Sequence, residues 1–293
     1  MAVEGVFAAI SGLEANQSML DVVSNNLANL NTVGYKDQTV NFSSALSQVM
    51  RGAGGPTNSL GGTNPVEIGV GVNVQSIDTN EGTGTMESTG NPLDIAIQGA
   101  GYLQVGDGNP PTLPAALDYT RAGNLTTNEN GYITTDSGQY VVGLAASVTG
   151  TGVNAVYTPT STSSYLVIPP GSSNIQVGTD GTVSYTDNNS AHTTYGDTVV
   201  AGYVSLANFT NPQGLASLGD NLFAQSANSG VPTVSQASAN GVGQVISGEL
   251  ELSNVDLAQE FTSMITAQRG YDANAQVITV ANQMLQALEQ VSL

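Results

Sequence analysis

The sequence predicts an α+β protein, with long N- and C-terminal helices paired as a coiled-coil-like terminal domain and a central all-β domain rich in hairpins. Three observations carry this. Apolar residues recur at heptad spacing near the start of the chain and again near its end, as they do in helices that share a seam. Between those segments, short alternating runs are broken by Gly, Asn and Asp turns, the pattern of hairpins.

The first element is a helix within residues 1–33. Val3, Ile10, Gln17 and Ser24 fall at one heptad position, and Val6, Leu13, Leu20 and Leu27 at the other. Met19, Val23 and Leu30 widen the stripe beyond a two-stranded seam. The helix ends in "NNLANLNTVGY", where Asn31 and Gly34 are expected to take the left-handed conformation that stops a helix. Asn25, Asn26 and Asn29 lie on or beside its polar side, and their amides suit bonding to neighbouring backbones without adding charge. Residues 34–74, Gly-rich from 52 to 71, show no secondary-structure period and read as an extended linker.

Residues 75–250 read as the β domain. "LDIAIQGAGYLQVGDG", "NLTTNENGYITTDSGQYVVG" and "NIQVGTDGTVSYTDNN" each look like strand, turn, strand, and "VVAGYVSLANF" is a further strand. The stretches 106–117 and 148–164 look like loops, and 145–198 is the place for a small inserted domain. The last element is a helix within 251–293, where Leu257, Met264, Tyr271, Ile278 and Leu285 recur every seven residues. Phe261, Ile265, Ala281, Leu288 and Val291 flank them, and Ser253 or Asn254 is placed to cap the helix. Such helices have no helical partner in the chain except each other, and one pair is a thin core. A symmetric assembly whose neighbours supply the rest accounts for stripes wider than one seam.

Composition excludes several classes. Asp and Glu number 23 against 4 Lys and Arg, a net charge of −19. Lys36, Arg51, Arg121 and Arg269 cannot form a phosphate-binding patch, so no nucleic-acid partner is expected. The same balance disfavours anionic membrane surfaces, and no apolar run reaches membrane-spanning length, so no direct membrane insertion is expected. With no Cys there is no disulfide or thiolate metal site. The opening residues lack a basic region and carry Glu4 and Glu14, which is unlike a Sec signal peptide. His192, the single His, sits in "NNSAHTTYG" with no nucleophile or orienting group placed beside it. No nucleotide-binding or metal motif occurs, so the chain is read as no enzyme, with no cofactor, no metal and no catalytic residue. A β-rich binding module on a helical stalk is a second reading, but a stalk needs one helical end and this chain has two.

Five blocks carry a resemblance: "SNNLANLNTVGYK", "GNPLDIAIQGAGYLQV", "YTRAGNLTTNENGYI", "SLANFTNPQGLASLGDNLFAQSANSG" and "GELELSNVDLAQEFTSMITAQRGYDANAQVITVANQMLQAL". In that order they resemble the flagellar rod and hook family, the axial proteins of bacterial flagella. One departure is Asn282, where family members commonly carry an acidic residue. The resemblance implies a subunit exported by the flagellar type III apparatus, with terminal helices in an inner tube and the β domain outside. It implies many copies in a homopolymer, joined to other axial proteins: rod, hook cap and hook–filament junction. "GGTNPVEIGVGVNVQSID" and "NPLDIAI" look closer to hook proteins of the short type, so the expectation is a hook subunit, with the distal rod subunit as the alternative. The tube contacts expected on the first helix and its end are Val6, Ile10, Leu13, Leu20, Asn25, Asn26, Leu27, Asn29, Leu30, Gly34 and Tyr35. On the last helix they are Leu257, Phe261, Met264, Gln268, Arg269, Tyr271, Ile278, Leu285 and Leu288.

Overall fold

The computed structural model describes residues 2–56, 61–108, 110, 112–114, 116–149, 156–190 and 194–291. The chain divides into two compact units, one of residues 1–29, 37–80 and 255–293, the other of 30–36 and 81–254.

The first unit holds both long helices, α1 (Ala2–Ala28) and α2 (Leu257–Val291). Residues 34–74, expected as a linker, instead build strands, and this is a correction. β1 (Gln38–Ser44) pairs antiparallel with β4 (Val72–Thr79), and β2 (Ser47–Arg51) with β3 (Val66–Gly69). Their periodicity is invisible because both faces of β2 and β3 are exposed, so no alternation of apolar and polar residues is imposed. α1 packs on α2 and also on β1 and β4. The Ser11 hydroxyl accepts from the Val72 amide at 3.2 Å and fixes that contact. α2 is capped by Asp256, whose Oδ1 accepts from the amides of Ala258 (2.8 Å) and Gln259 (3.2 Å), rather than by Ser253 or Asn254.

The second unit is dominated by a sheet in which twelve strands are linked among the described residues. At its centre lie Tyr102–Gly106, Tyr140–Thr149 and Thr198–Asn208. Ile95, Ile97, Leu103, Val105, Val141, Leu166 and Leu206 form its apolar core. A second cluster stacks Tyr102, Tyr119 and Phe209 edge to face. Two expected hairpins form, Leu125–Thr127 with Ile133–Thr135 and Ser173–Val177 with Thr182–Thr186. The third does not. Ile95–Gln98 pairs with Gln244–Ser247, whereas Tyr102–Gly106 enters the main sheet. Residues 145–198 hold no separate domain among the described residues, because their strands join the same sheet. Their turns carry Asn and Gly, which suit a hairpin inside a sheet as well as an insertion.

Candidate functional site

The helices run antiparallel within the first unit. A Cβ on Gly12 would lie 2.7 Å from Asn274 Nδ2, and one on Gly270 would lie 2.5 Å from Asn16 Oδ1. The seam is thus made of small residues. Ala9, Gly12 and Ala15 of α1 are buried, as are Ala267 and Ala281 of α2. Close backbone approach is what Gly and Ala permit, at the cost of burying little apolar area.

Val22 and Val23 of α1 are buried too, but many of the large apolar side chains face outward. On α1, Phe7 and Ile10 are exposed; on α2, Leu257, Phe261, Ile265, Tyr271, Val277, Val280, Met284 and Leu285 are. Full burial of each such side chain is worth about 1.5–3 kcal/mol, so leaving this many on water is a large unspent driving force. The hairpin β2–β3 adds a second exposed apolar surface, with Leu46 at 88% exposure beside Val49, Met50, Val66 and Ile68.

The residues expected at contacts differ in exposure, and Asn26 and Gly34 are buried. Ile10, Leu257, Phe261, Gln268, Arg269, Tyr271 and Leu285 are exposed. Val6, Leu13, Leu20, Leu27, Asn29, Leu30, Tyr35, Met264 and Ile278 are half-buried, and Asn25 is exposed. The Leu288 side chain and His192 lie outside the described residues. Phe7, Val277, Val280 and Met284, outside the expected set, are exposed as well, since heptad counting chose one stripe and the structure exposes a wider one. Asn31 is not left-handed, whereas Gly34 is, with φ +70.

Asn26, expected among the tube contacts, bonds a backbone segment of its own chain. It is fully buried, and its amide grips the Gln38 backbone: Nδ2 donates to the carbonyl at 2.8 Å and Oδ1 accepts from the amide at 3.0 Å. Asn25 and Asn29 bond to each other on the surface, Nδ2 of Asn29 donating to Oδ1 of Asn25 at 2.8 Å. The three asparagines therefore separate. Asn26→Ala should destabilise the helical unit by about 1–3 kcal/mol, because Gln38 loses both partners. Asn25→Ala and Asn29→Ala should each stay within about 0.5 kcal/mol of the parent. Thermal melts of the three monomers followed by circular dichroism give the order directly.

Beside Asn26 lies the carboxyl of Glu260, buried in the first turn of α2. Burial raises its pKa above 4.5; a hydrogen bond from Asn26 opposes the shift, and the charges of Asp37 and Asp256 add to it. The folded state therefore holds this proton more tightly than the unfolded chain. Above the ordinary carboxylate range, stability is lost as pH rises through the raised pKa, and it is regained on acidification. Glu260→Gln should flatten that part of the pH dependence and stabilise the unit at neutral pH. Parallel pH profiles that match for parent and variant would refute it.

The second unit carries a buried charge cluster that sequence reading did not assemble. Glu251 accepts from Lys36 Nζ at 2.5 Å and from Arg121 Nη1 at 3.3 Å, with all three side chains almost wholly buried. The Gly84 amide donates to Glu251 Oε1 at 3.0 Å, and Lys36 also donates to the Gly82 carbonyl at 2.8 Å. Arg121 donates to the Gly99 carbonyl at 2.9 Å and stands over the Tyr102 ring, whose hydroxyl donates to Glu81 at 2.7 Å. Burial pulls the Lys36 pKa below 10.5 in spite of Glu251, and burial with Glu81 pushes that of Tyr102 up. The cluster ties residues 30–36, 81–84 and 249–254 together, the segments by which the chain enters and leaves this unit. It has no nucleophile or vacant acid–base pair and reads as a structural clasp. Among the described residues no group of three or more metal-ligating side chains gathers.

Comparison with known proteins agrees with the order of these parts. The family described as "Flagella basal body rod protein" matches residues 8–36. "Flagellar hook protein FlgE/F/G D1 domain" matches 96–185, and "Flagellar basal body rod FlgEFG protein C-terminal" matches 246–291. The flagellar basal-body rod protein FlgG of Bacillus subtilis (strain 168) is 37% identical over 284 residues, 97% of each chain. That of Caulobacter vibrioides is also 37% identical, over 286 residues and 97% of each chain. The flagellar hook protein FlgE of Borreliella burgdorferi is 26% identical over an alignment of 439 positions, covering 97% of this chain and 98% of that one. The proteins that the chain is similar to are structural parts of the flagellar rod and hook, not enzymes. The chain belongs to the flagellar rod and hook family. Within it, the alternative is better supported than the expected hook subunit: the similar relatives of matching length carry the rod-protein name FlgG, and the hook relative is more distant.

Proposed function

We propose that the chain is the distal rod subunit of the flagellar basal body, polymerising with copies of itself into a stiff helical tube. The observation that carries this is the inversion of the helix pair, with small residues at the inner seam and large apolar ones outside. In the tube those outer faces pack against the helices of neighbours in coiled-coil fashion, and burial deferred in the monomer is recovered in the polymer. The exposed hairpin β2–β3 offers a further contact that locks adjacent copies, which favours a drive shaft over a bending joint. Export by the flagellar type III apparatus, and junctions with the rod and hook proteins on either side, go with this reading.

Seeding the purified full chain and imaging the product tests it. Straight, rigid tubes are expected, and loss of residues 278–293 should abolish them while the β unit stays folded. Curved or readily bent tubes would favour the hook, and no ordered tube at all would overturn assembly.

A further inference from the structure

An open groove of about 440 Å³ runs along α2, lined by Ala273, Gln276, Val277, Val280 and Met284, with Gly5 of α1 on its other side. One helical turn beyond Ala273 stands Arg269, exposed and without an ion pair among the described residues. It is the sole basic residue on either long helix. On α1 one exposed stripe runs through Phe7, Ile10, Glu14, Gln17 and Asp21. That stripe is apolar at one end and acidic further along, and Glu14 also has no ion pair among the described residues.

We propose that the groove takes the outer stripe of α1 from a second copy of this chain, with Glu14 of that copy paired to Arg269. The inference rests on the assembly reading and deepens it to a register. Screw symmetry preserves direction along its axis, so helices antiparallel within one copy meet antiparallel between copies when they follow that axis. Placing Glu14 opposite Arg269 then sets Ile10 over Ala273 and Phe7 over Gln276 and Val277. Gln17 and Asp21 fall opposite Thr266 and Thr262, both exposed. Glu14 meets Arg269, Ile10 and Phe7 lie over the groove, and Gln17 and Asp21 face exposed threonines in a single register. Sliding by two turns pairs Asp21 with Arg269, but it drives Glu14 into the apolar groove beside Val277 with no cation, a desolvation penalty. The small Ala273 leaves the room that Ile10 fills. A chain of net charge −19 with so few exposed cations has scarcely another group to offer an acid from its neighbour.

The test is the critical concentration for seeded polymerisation, read by sedimentation. Arg269→Glu and Glu14→Arg should each raise it by on the order of a hundredfold, because like charges then face each other across the contact. The double exchange, Glu14→Arg with Arg269→Glu, should return it to within roughly tenfold of the parent, since the pair is restored with reversed sign. Circular-dichroism melts of the single variants that match the parent show that they fold. Arg269→Glu polymerising like the parent would assign the groove to another occupant and overturn the proposal. So would a double variant that stays inactive, or rescue of Arg269→Glu by Asp21→Arg in place of Glu14→Arg. A parent chain that forms no tube would instead overturn the assembly reading beneath it.

Discussion

Glu251→Ala is expected to cost the β unit about 3–5 kcal/mol, because it strands two buried cations without a counter-charge. The parent carboxylate is fully buried and divides its oxygens between Lys36 and Arg121. Removing it leaves two like charges close together and the Gly84 amide without its acceptor. For a domain of this size the loss corresponds to a fall in melting temperature of roughly 10 °C. Lys36→Met should cost less, since Glu251 keeps Arg121 and the Gly84 amide. Replacing all three charges by apolar residues of similar volume should recover most of the loss, as buried ion pairs seldom outperform a packed apolar alternative. Chemical denaturation of the monomer measures each. A loss below about 1 kcal/mol for Glu251→Ala would show that water reaches the cluster and that the clasp is weaker than its geometry implies.

The same cluster shows where sequence reading stops. Lys36 and Arg121 entered only as cations too few for a phosphate-binding patch, and nothing local marks a residue whose partner is far along the chain. Both helices were legible, because heptad spacing is a local signal and α1 and α2 fall within the expected 1–33 and 251–293. Which stripe faces inward was not. Heptad counting weights large residues, but Gly12 and Gly270 bring the helices too close for them, so the seam went to alanine and glycine. Hairpins with a Gly-containing turn were read correctly at 125–135 and 173–186. The run "LDIAIQGAGYLQV" misled, because Gly99 and Gly101 both sit at positive φ and send its two strands to different partners. Asn26 looked like its neighbours Asn25 and Asn29, and only burial against Gln38 separates them.

Gly34→Val should be about as damaging as Glu251→Ala, for a different physical reason. Gly34 has φ +70, a left-handed conformation that costs a side chain with a Cβ about 1–2 kcal/mol, and a β-branched one more. Space is the second obstacle. A Cβ there would lie 2.7 Å from the Arg121 carbonyl carbon and 2.8 Å from the Ala122 amide nitrogen. These are backbone atoms of a buried segment and cannot swing aside as a flexible side chain would. Relief requires moving residues 30–36, which are held by the Gly34 amide donating to the Glu251 carbonyl at 2.8 Å and by Asn221 Nδ2 donating to the Val33 carbonyl at 2.8 Å. Overpacking of this kind adds about 1–3 kcal/mol, so the total should reach roughly 3–5 kcal/mol. Because Gly34 and the Lys36–Glu251 pair hold the same strap, the two losses should not add. Once either change has freed residues 30–36, the other has less left to break. The measurement is a double-mutant cycle on Glu251→Ala and Gly34→Val, read by denaturation of the monomer. A double variant markedly less stable than the worse single is compatible only with two independent sites, whereas a shared strap requires the combined loss to fall well short of the sum.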